Sequence, residues 1–278
     1  MTTIAIANAK GGVGKTTTSV NLSAALVSLG YRVLLIDSDP QGHSTKALGI
    51  PSKSLKYTLV NLMYAVRDDT NIEDYIDRCI VKTKTIHVLP ANKKLEGAAA
   101  RFTAERNLTE IDGLPVEFVM KRITSLCEGD YDYIIIDCRP SLDILTINAL
   151  TAADEVIIPL QAHYLAEEGL DDILGTIKLI QDSLNSNLVI AGILLTMYQS
   201  HTNLCRSVSE DIMNRYGSEL TIFEPIKYSI KVAEHPAFGK RIFEYDASNP
   251  AAVGYAKLAE AVVSRCLKSS RSRMCKIS

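Results

Sequence analysis

The chain has 278 residues and a formal net charge of −2 at pH 7, from 30 Lys+Arg against 32 Asp+Glu. That balance excludes a uniformly basic nucleic-acid packaging protein, though not a local basic patch, because totals and patches are different quantities. With 47% apolar and 22% charged residues the chain is globular in composition; with no Trp and only 6% aromatics it is a poor candidate for stacking single-stranded nucleic acid.

Short β-branched apolar runs alternate with longer helical patterns. Thr3–Ala7 reads as a strand, followed by a Gly-rich turn and an amphipathic helix from Thr16 to Leu29 that Gly30 caps. Arg32–Asp37 is a second strand. Residues 43–80 are less regular and predict loops and short helices over one edge. Thr85–Leu89, ended by Pro90, is a third strand, and Tyr133–Asp137, Glu155–Pro159 and Leu188–Leu195 are three more. Helical patterns cover Val116–Cys127, Ile144–Ala153, Glu167–Leu184, Asn203–Tyr216 and Pro250–Leu267. The strands are nearly continuous apolar runs, as expected where both faces of a parallel sheet are covered. The predicted fold class is therefore α/β, a doubly wound, mainly parallel sheet flanked by helices.

No Pro/Gly/Ser linker or internal repeat divides the chain, which predicts a single domain over residues 1–278. Within it, residues 261–278 read as a basic C-terminal extension. Arg265, Lys268, Arg271, Arg273 and Lys276 give that stretch +5 with no acid, which leaves −7 on residues 1–260 of a chain whose total is −2. The six cysteines (Cys79, Cys127, Cys138, Cys205, Cys266, Cys275) form no CxxC pair, so neither zinc spacing nor a disulfide framework is indicated, and free thiols in a reducing compartment are expected. The N-terminus lacks a signal-peptide pattern and the longest apolar runs are strand-length, which predicts a cytoplasmic protein.

Three motifs carry chemistry. The first is Lys10-Gly11-Gly12-Val13-Gly14-Lys15-Thr16-Thr17, directly after the first strand and opening a helix. Glycines there let successive backbone N–H groups turn inward around a phosphate, and the helix start adds the positive end of its dipole. Lys15 then supplies a point charge for the β/γ-phosphates, and Thr16 a hydroxyl for Mg²⁺. The second is Leu34-Leu-Ile-Asp37-Ser-Asp39-Pro-Gln-Gly42, whose carboxylates stand at the C-terminal end of a strand, beside the ligand crevice of an open α/β sheet. The third is Tyr133-Ile-Ile-Ile-Asp137-Cys-Arg139-Pro-Ser141, in which an acid closing an apolar strand fits a Walker B carboxylate for Mg²⁺.

The loop departs from GxxxxGK[ST]: Ala9 stands where the first glycine belongs, and Lys10 follows it. In this form it resembles the deviant Walker A loop of the ParA/MinD family of partition and positioning ATPases. The resemblance implies a P-loop NTPase fold, ATP and Mg²⁺ as cofactors, and an ATP-dependent homodimer in which Lys10 reaches the partner's phosphates. It also implies that Asp39 lies next to the attacking water and Asp37 nearer the Mg²⁺ shell. The later segment Glu234-His-Pro-Ala-Phe-Gly-Lys240 is similar to the family's E-A-P-x-x-G-K, so the likeness spans nearly the whole chain. Pro225 and Ile226 fall, by the same resemblance, in the adenine-side loop. Arg139 replaces the first proline of the family's D-x-P-P, and a neutral variation, an altered switch and an introduced mutation all remain open readings.

For output, the resemblance implies either non-specific duplex DNA or a membrane surface. The tail LKSSRSRMCKIS has few bulky apolar residues and three intervening serines, unlike a membrane-binding amphipathic helix. Lys227, Lys231, Lys240 and Arg241 form a second basic cluster opposed by Glu224 and Glu234. Arg206 lies two residues after His201-Thr-Asn-Leu204, where relatives have R-T-N-L. These basic residues are the candidate phosphate-backbone contacts. The leading expectation is a nucleoid-associated DNA-partition ATPase stimulated by a ParB-like centromere-binding partner. The alternatives are a MinD-like positioning ATPase for membrane or protein cargo, an iron-protein-like reductase needing an interfacial cysteine site, and an inactive interaction module.

Overall fold

The apolar runs become strands because both of their faces find cover. The structure, a computed structural model, describes residues 1–70, 72–106, 113–163, 166–235 and 239–274, with side chains up to Leu267. Among the described residues one sheet contains β1 (Thr2–Ile6), β2 (Val33–Ser38), β3 (Val81–Lys82), β4 (His87–Leu89), β5 (Tyr133–Cys138), β6 (Glu155–Gln161), β7 (Val189–Thr196) and β8 (Ile222–Phe223). Their order is β3-β4-β2-β5-β1-β6-β7-β8, parallel throughout except for the β3–β4 edge pair. The helices are α1 (Lys15–Ser28), α2 (His43–Ala47), α3 (Leu59–Arg67), α4 (Ile72–Cys79), α5 (Leu95–Arg106), α6 (Val119–Leu126), α7 (Ile144–Ala152), α8 (Ala166–Ser183), α9 (Asn203–Tyr216), α10 (Ile230–Glu234), α11 (Ile242–Tyr245) and α12 (Pro250–Met274). This is the doubly wound, mainly parallel sheet expected, with Val116–Phe118 as a 3-10 turn leading into α6.

Alternation along each strand splits the core in two. Ala5, Leu34, Ile36, Ile134 and Ile136 join the cluster under α3 and α5–α8, whereas Ile4, Ile6, Leu35 and Ile135 join the one under α1 and α12. All are fully buried. β1 lies between β5 and β6, so the chain leaves it toward β2 on one side and later crosses to β6 on the other. The crevice outside the strand C-termini opens at such a reversal, and the glycine loop, Asp37 and Asp137 all end there.

The closing helix runs past the expected Leu267 to Met274. Within it, as the helical pattern to Leu267 predicted, residues 261–267 are helical: Val262 is fully buried, and Val263 and Cys266 pack against the same core. The side chains of Lys268, Arg271, Arg273 and Lys276 lie outside the described residues.

The segment after α10 is tied to α1. Asn21 Oδ1 accepts from the Ile242 amide at 3.1 Å, and Asn21 Nδ2 contacts His235 Nε2 at 3.4 Å. The other ring nitrogen, His235 Nδ1, lies 2.7 Å from the Lys240 carbonyl. A neutral ring that donates from Nδ1 and accepts at Nε2 satisfies both contacts. Burial holds the His235 pKa below its ordinary value. A depressed imidazole pKa means the folded state binds fewer protons than the unfolded, so this contribution to stability is lost as pH falls below the unfolded value of about 6.5. His235→Ala is expected to flatten that loss. Melting of wild type and variant at pH 7.5 and 5.5 checks it, with a smaller acid-induced drop in Tm for the variant as the expected result.

Candidate active site

The loop between β1 and α1 is shaped by its neighbours. Asn8 donates to the Pro159 carbonyl (2.8 Å) and accepts from the Lys10 amide (2.9 Å), fixing where the chain leaves β1. Thr196, at the end of β7, donates to the Val13 carbonyl at 2.8 Å. Gly12 and Gly14 have φ of 75° and 87°, left-handed values that cost any side-chain-bearing residue strain. The loop forms the floor of a cleft of about 690 Å³, also lined by Thr16, Thr17, Asp39, His43 and Arg139.

Lys15 is 6% exposed, and its ammonium donates to the Lys10 carbonyl at 2.6 Å. Burial lowers its pKa, opposed chiefly by the negative charge of nearby Asp137 and also of Asp39. The Lys10 side chain instead lies along α8. A Cβ built on Gly169 would stand 2.7 Å from both Cδ and Cε of Lys10, so the glycine makes room for that stem.

Asp37 and Asp137 are register partners across β2 and β5, and both are fully buried. Asp37 accepts from the Thr45 amide (2.8 Å), the Thr45 hydroxyl (2.6 Å) and the Asp39 amide (3.2 Å). Asp137 accepts from the hydroxyls of Ser19 (3.0 Å) and Ser44, with Thr16 as a further hydroxyl donor. Burial, reinforced by Asp137, pushes Asp37 up to about 7; burial also raises Asp137. Two buried carboxylates among hydroxyl oxygens form an all-oxygen donor set, which fits Mg²⁺ shared with a phosphate better than a softer metal. Asp39 is 7% exposed; one carboxylate oxygen accepts from the Gln41 amide at 2.8 Å, and the other is 3.5 Å from His43 Nδ1.

Of the predicted phosphate and metal residues, Gly11, Gly12, Gly14, Lys15, Thr16, Thr17 and Asp39 line one crevice, with Asp37 and Asp137 buried beneath it, while the Lys10 side chain runs along α8. Ser19, Ser44, Thr45 and His43 belong to it too, and sequence reading missed them. Pro225 is half-buried over α12, its carbonyl 3.9 Å from a Cβ built on Gly254. The adjoining hollow beside Gly12, Gly14 and Thr17 is lined by Ile226, Lys227, Tyr228 and Ser229 rather than by Pro225.

The basic cluster is less bare than its sequence suggested. Lys231 pairs with Asp246 at 2.8 Å and Arg241 pairs with Glu244, acids that lie outside the cluster as read, while Glu224 is taken by Lys257 at 2.8 Å. Arg206 donates to Asn203 at 2.6 Å. Among the described residues Lys227 and Lys240 are exposed and in no ion pair. Pro236, Ala237 and Phe238 of the Glu234–Lys240 segment lie outside the described residues. No described helix is long and apolar enough to cross a membrane. Cys127 and Cys138 are both buried, their thiols pushed up by burial.

A family model described as an AAA domain matches residues 1–190. The chain is 42% identical over 262 residues to the sporulation initiation inhibitor protein Soj of Bacillus subtilis, covering 93% of this chain and 97% of that protein. It is 39% identical over 267 residues to the chromosome partitioning protein ParA of Caulobacter vibrioides, covering 94% of each. Among solved structures, cobyrinic acid a,c-diamide synthase from Mycobacterium smegmatis with bound ATP analogue and magnesium matches with a TM-score of 0.79, at 35% identity over 97% of both chains. With the deviant loop, the carboxylate pair and these relatives together, the chain belongs to the ParA/MinD family of P-loop ATPases.

Proposed function

We propose that this protein is an ATP-driven DNA-partition ATPase. ATP favours a sandwich dimer, the dimer holds duplex DNA without sequence preference, and hydrolysis releases it. Hydrolysis is slow alone and is stimulated by a ParB-like centromere-binding partner. The working location is the cytoplasm, on the nucleoid, without stable membrane association. The observation that carries this reading is the division of labour between two lysines. Lys15 fills the cradle, while Lys10 extends along α8 over Gly169, away from its own subunit's cradle, and is the lysine offered to a second subunit's phosphates. The partition relatives support the biological setting.

Within the site, Lys15 and the amides of Gly11 to Thr17 bind the phosphates. Thr16, Asp37 and Asp137 would hold Mg²⁺, which when bound neutralises phosphate charge. Asp39, anchored by the Gln41 amide, orients the attacking water. Phosphoryl transfer depends mainly on positioning and charge neutralisation, so one held carboxylate suffices.

Size-exclusion chromatography with ATP and with ADP, with and without duplex DNA, tests dimerisation and output together. Binding to arbitrary duplex is expected with ATP, weakening steeply with salt; equal binding with ADP, or none at low salt, refutes the reading. Lys227→Ala with Lys240→Ala is expected to lower DNA affinity and reduce the salt slope by roughly 2, about one per lost phosphate contact. Lys231→Ala is expected to cost less, because that lysine already pairs with Asp246.

A further inference from the structure

Arg139 departs from the family pattern at a position facing the nucleotide crevice. It follows β5, two residues after Asp137, and its side chain lines the same cleft as Gly11, Gly12, Lys15 and Asp39. The next residue, Pro140, lies within van der Waals reach of the glycine loop: a Cβ built on Gly11 would meet Pro140 Cβ at 3.9 Å. Proline at position 139 would offer neither charge nor donor. Arginine brings a planar fork of N–H donors whose geometry matches phosphate oxygens in pairs.

The guanidinium is held, but lightly. Its Nη1 is 3.0 Å from Asp143 Oδ2, with 28% of the arginine side chain and 33% of the aspartate exposed. Asp143 caps α7: its Oδ1 accepts from the amides of Leu145 (3.1 Å) and Thr146 (3.4 Å). The carboxylate therefore keeps the helix start as a partner if the arginine leaves. An ion pair this exposed contributes little in water, whereas a triphosphate in the cleft presents a denser anion to the same guanidinium.

We propose that Arg139 is a third phosphate-binding cation of this site, parked on Asp143 and transferred to the terminal phosphate when a nucleoside triphosphate enters. It thereby biases the site toward ATP over ADP. The proposal rests on the ATP-site reading above and adds a residue and a preference to it. No covalent step is involved; a guanidinium exchanges one oxyanion partner for another.

The test is calorimetric titration of wild type, Arg139→Ala, Arg139→Lys and Asp143→Asn with Mg²⁺ and either a non-hydrolysable ATP analogue or ADP. Arg139→Ala is expected to bind the analogue about tenfold more weakly, the scale of one charge-assisted hydrogen bond, with ADP affinity changed by less than about twofold. Arg139→Lys should recover part of the loss. Asp143→Asn keeps a good helix cap and frees the guanidinium, so analogue affinity should rise a few-fold. Equal losses for both nucleotides in Arg139→Ala overturn the proposal, as does unchanged analogue binding in that variant or in Asp143→Asn. Wild type that binds neither nucleotide would overturn the underlying ATP-site reading instead.

Discussion

Lys15→Ala is expected to abolish measurable ATP binding. The ammonium is 6% exposed, sits over the glycine loop and rests on the Lys10 carbonyl at 2.6 Å, which the β- and γ-phosphate oxygens would displace. Each hydrogen bond to a charged group contributes about 1.5–3 kcal/mol. Two such bonds amount to roughly 3–6 kcal/mol, or about two to four decades in Kd at 1.4 kcal/mol per decade. Burial already disfavours the charged lysine, and the carboxylates of Asp137 and Asp39 oppose that. Alanine removes a costly buried charge but leaves the Lys10 carbonyl and the nearby carboxylates without that donor, so the fold is measured beside the binding. Calorimetry checks the binding, and circular dichroism checks the fold. Unchanged ATP affinity would remove Lys15 from the phosphate site.

The site was legible in sequence where its parts are contiguous and illegible where folding assembles them. The glycine loop, Asp37 and Asp137 sit at the ends of fully buried strands, and a run such as YIIID announces both strand and carboxylate. Ser19 and Ser44 reach Asp137 from 118 and 93 residues away, and no local pattern marks a serine for that. The basic cluster was misjudged for a related reason. Asp246 comes back onto Lys231 from 15 residues on, so counting acids within the cluster missed its neutralising partner. Among elements, α5 escaped because alanines dilute its pattern, although Leu95, Ala98 and Phe102 form a buried stripe at helical spacing. β3 and β8 are two residues each, too short for alternation to register. The closing helix extends beyond Leu267, where lysines, arginines and serines dominate and leave no apolar period to mark it.

Asp39→Ala is expected to separate binding from hydrolysis. Asp39 lies on the cleft wall, beyond the buried Asp37–Asp137 pair, with one oxygen committed to the Gln41 amide and the other near His43. It takes no part in the cradle's backbone geometry, so ATP affinity should stay within about threefold of wild type. Loss of a positioned proton acceptor typically costs about 10²–10⁴ in rate, and turnover should fall on that scale. A dimer whose dissociation waits on hydrolysis should then accumulate with ATP and remain on DNA. Asp39→Asn refines the assignment, because the amide oxygen can still accept from Gln41 while the negative charge is gone. If charge and proton acceptance matter, the asparagine variant is as slow as the alanine one; if water orientation suffices, it recovers much of the rate. Single-turnover phosphate release, read beside size-exclusion in ATP, distinguishes these results. Wild-type turnover in both variants would place the water-orienting group elsewhere, and His43, the other titratable side chain beside Asp39 in that wall, would be the residue to substitute next.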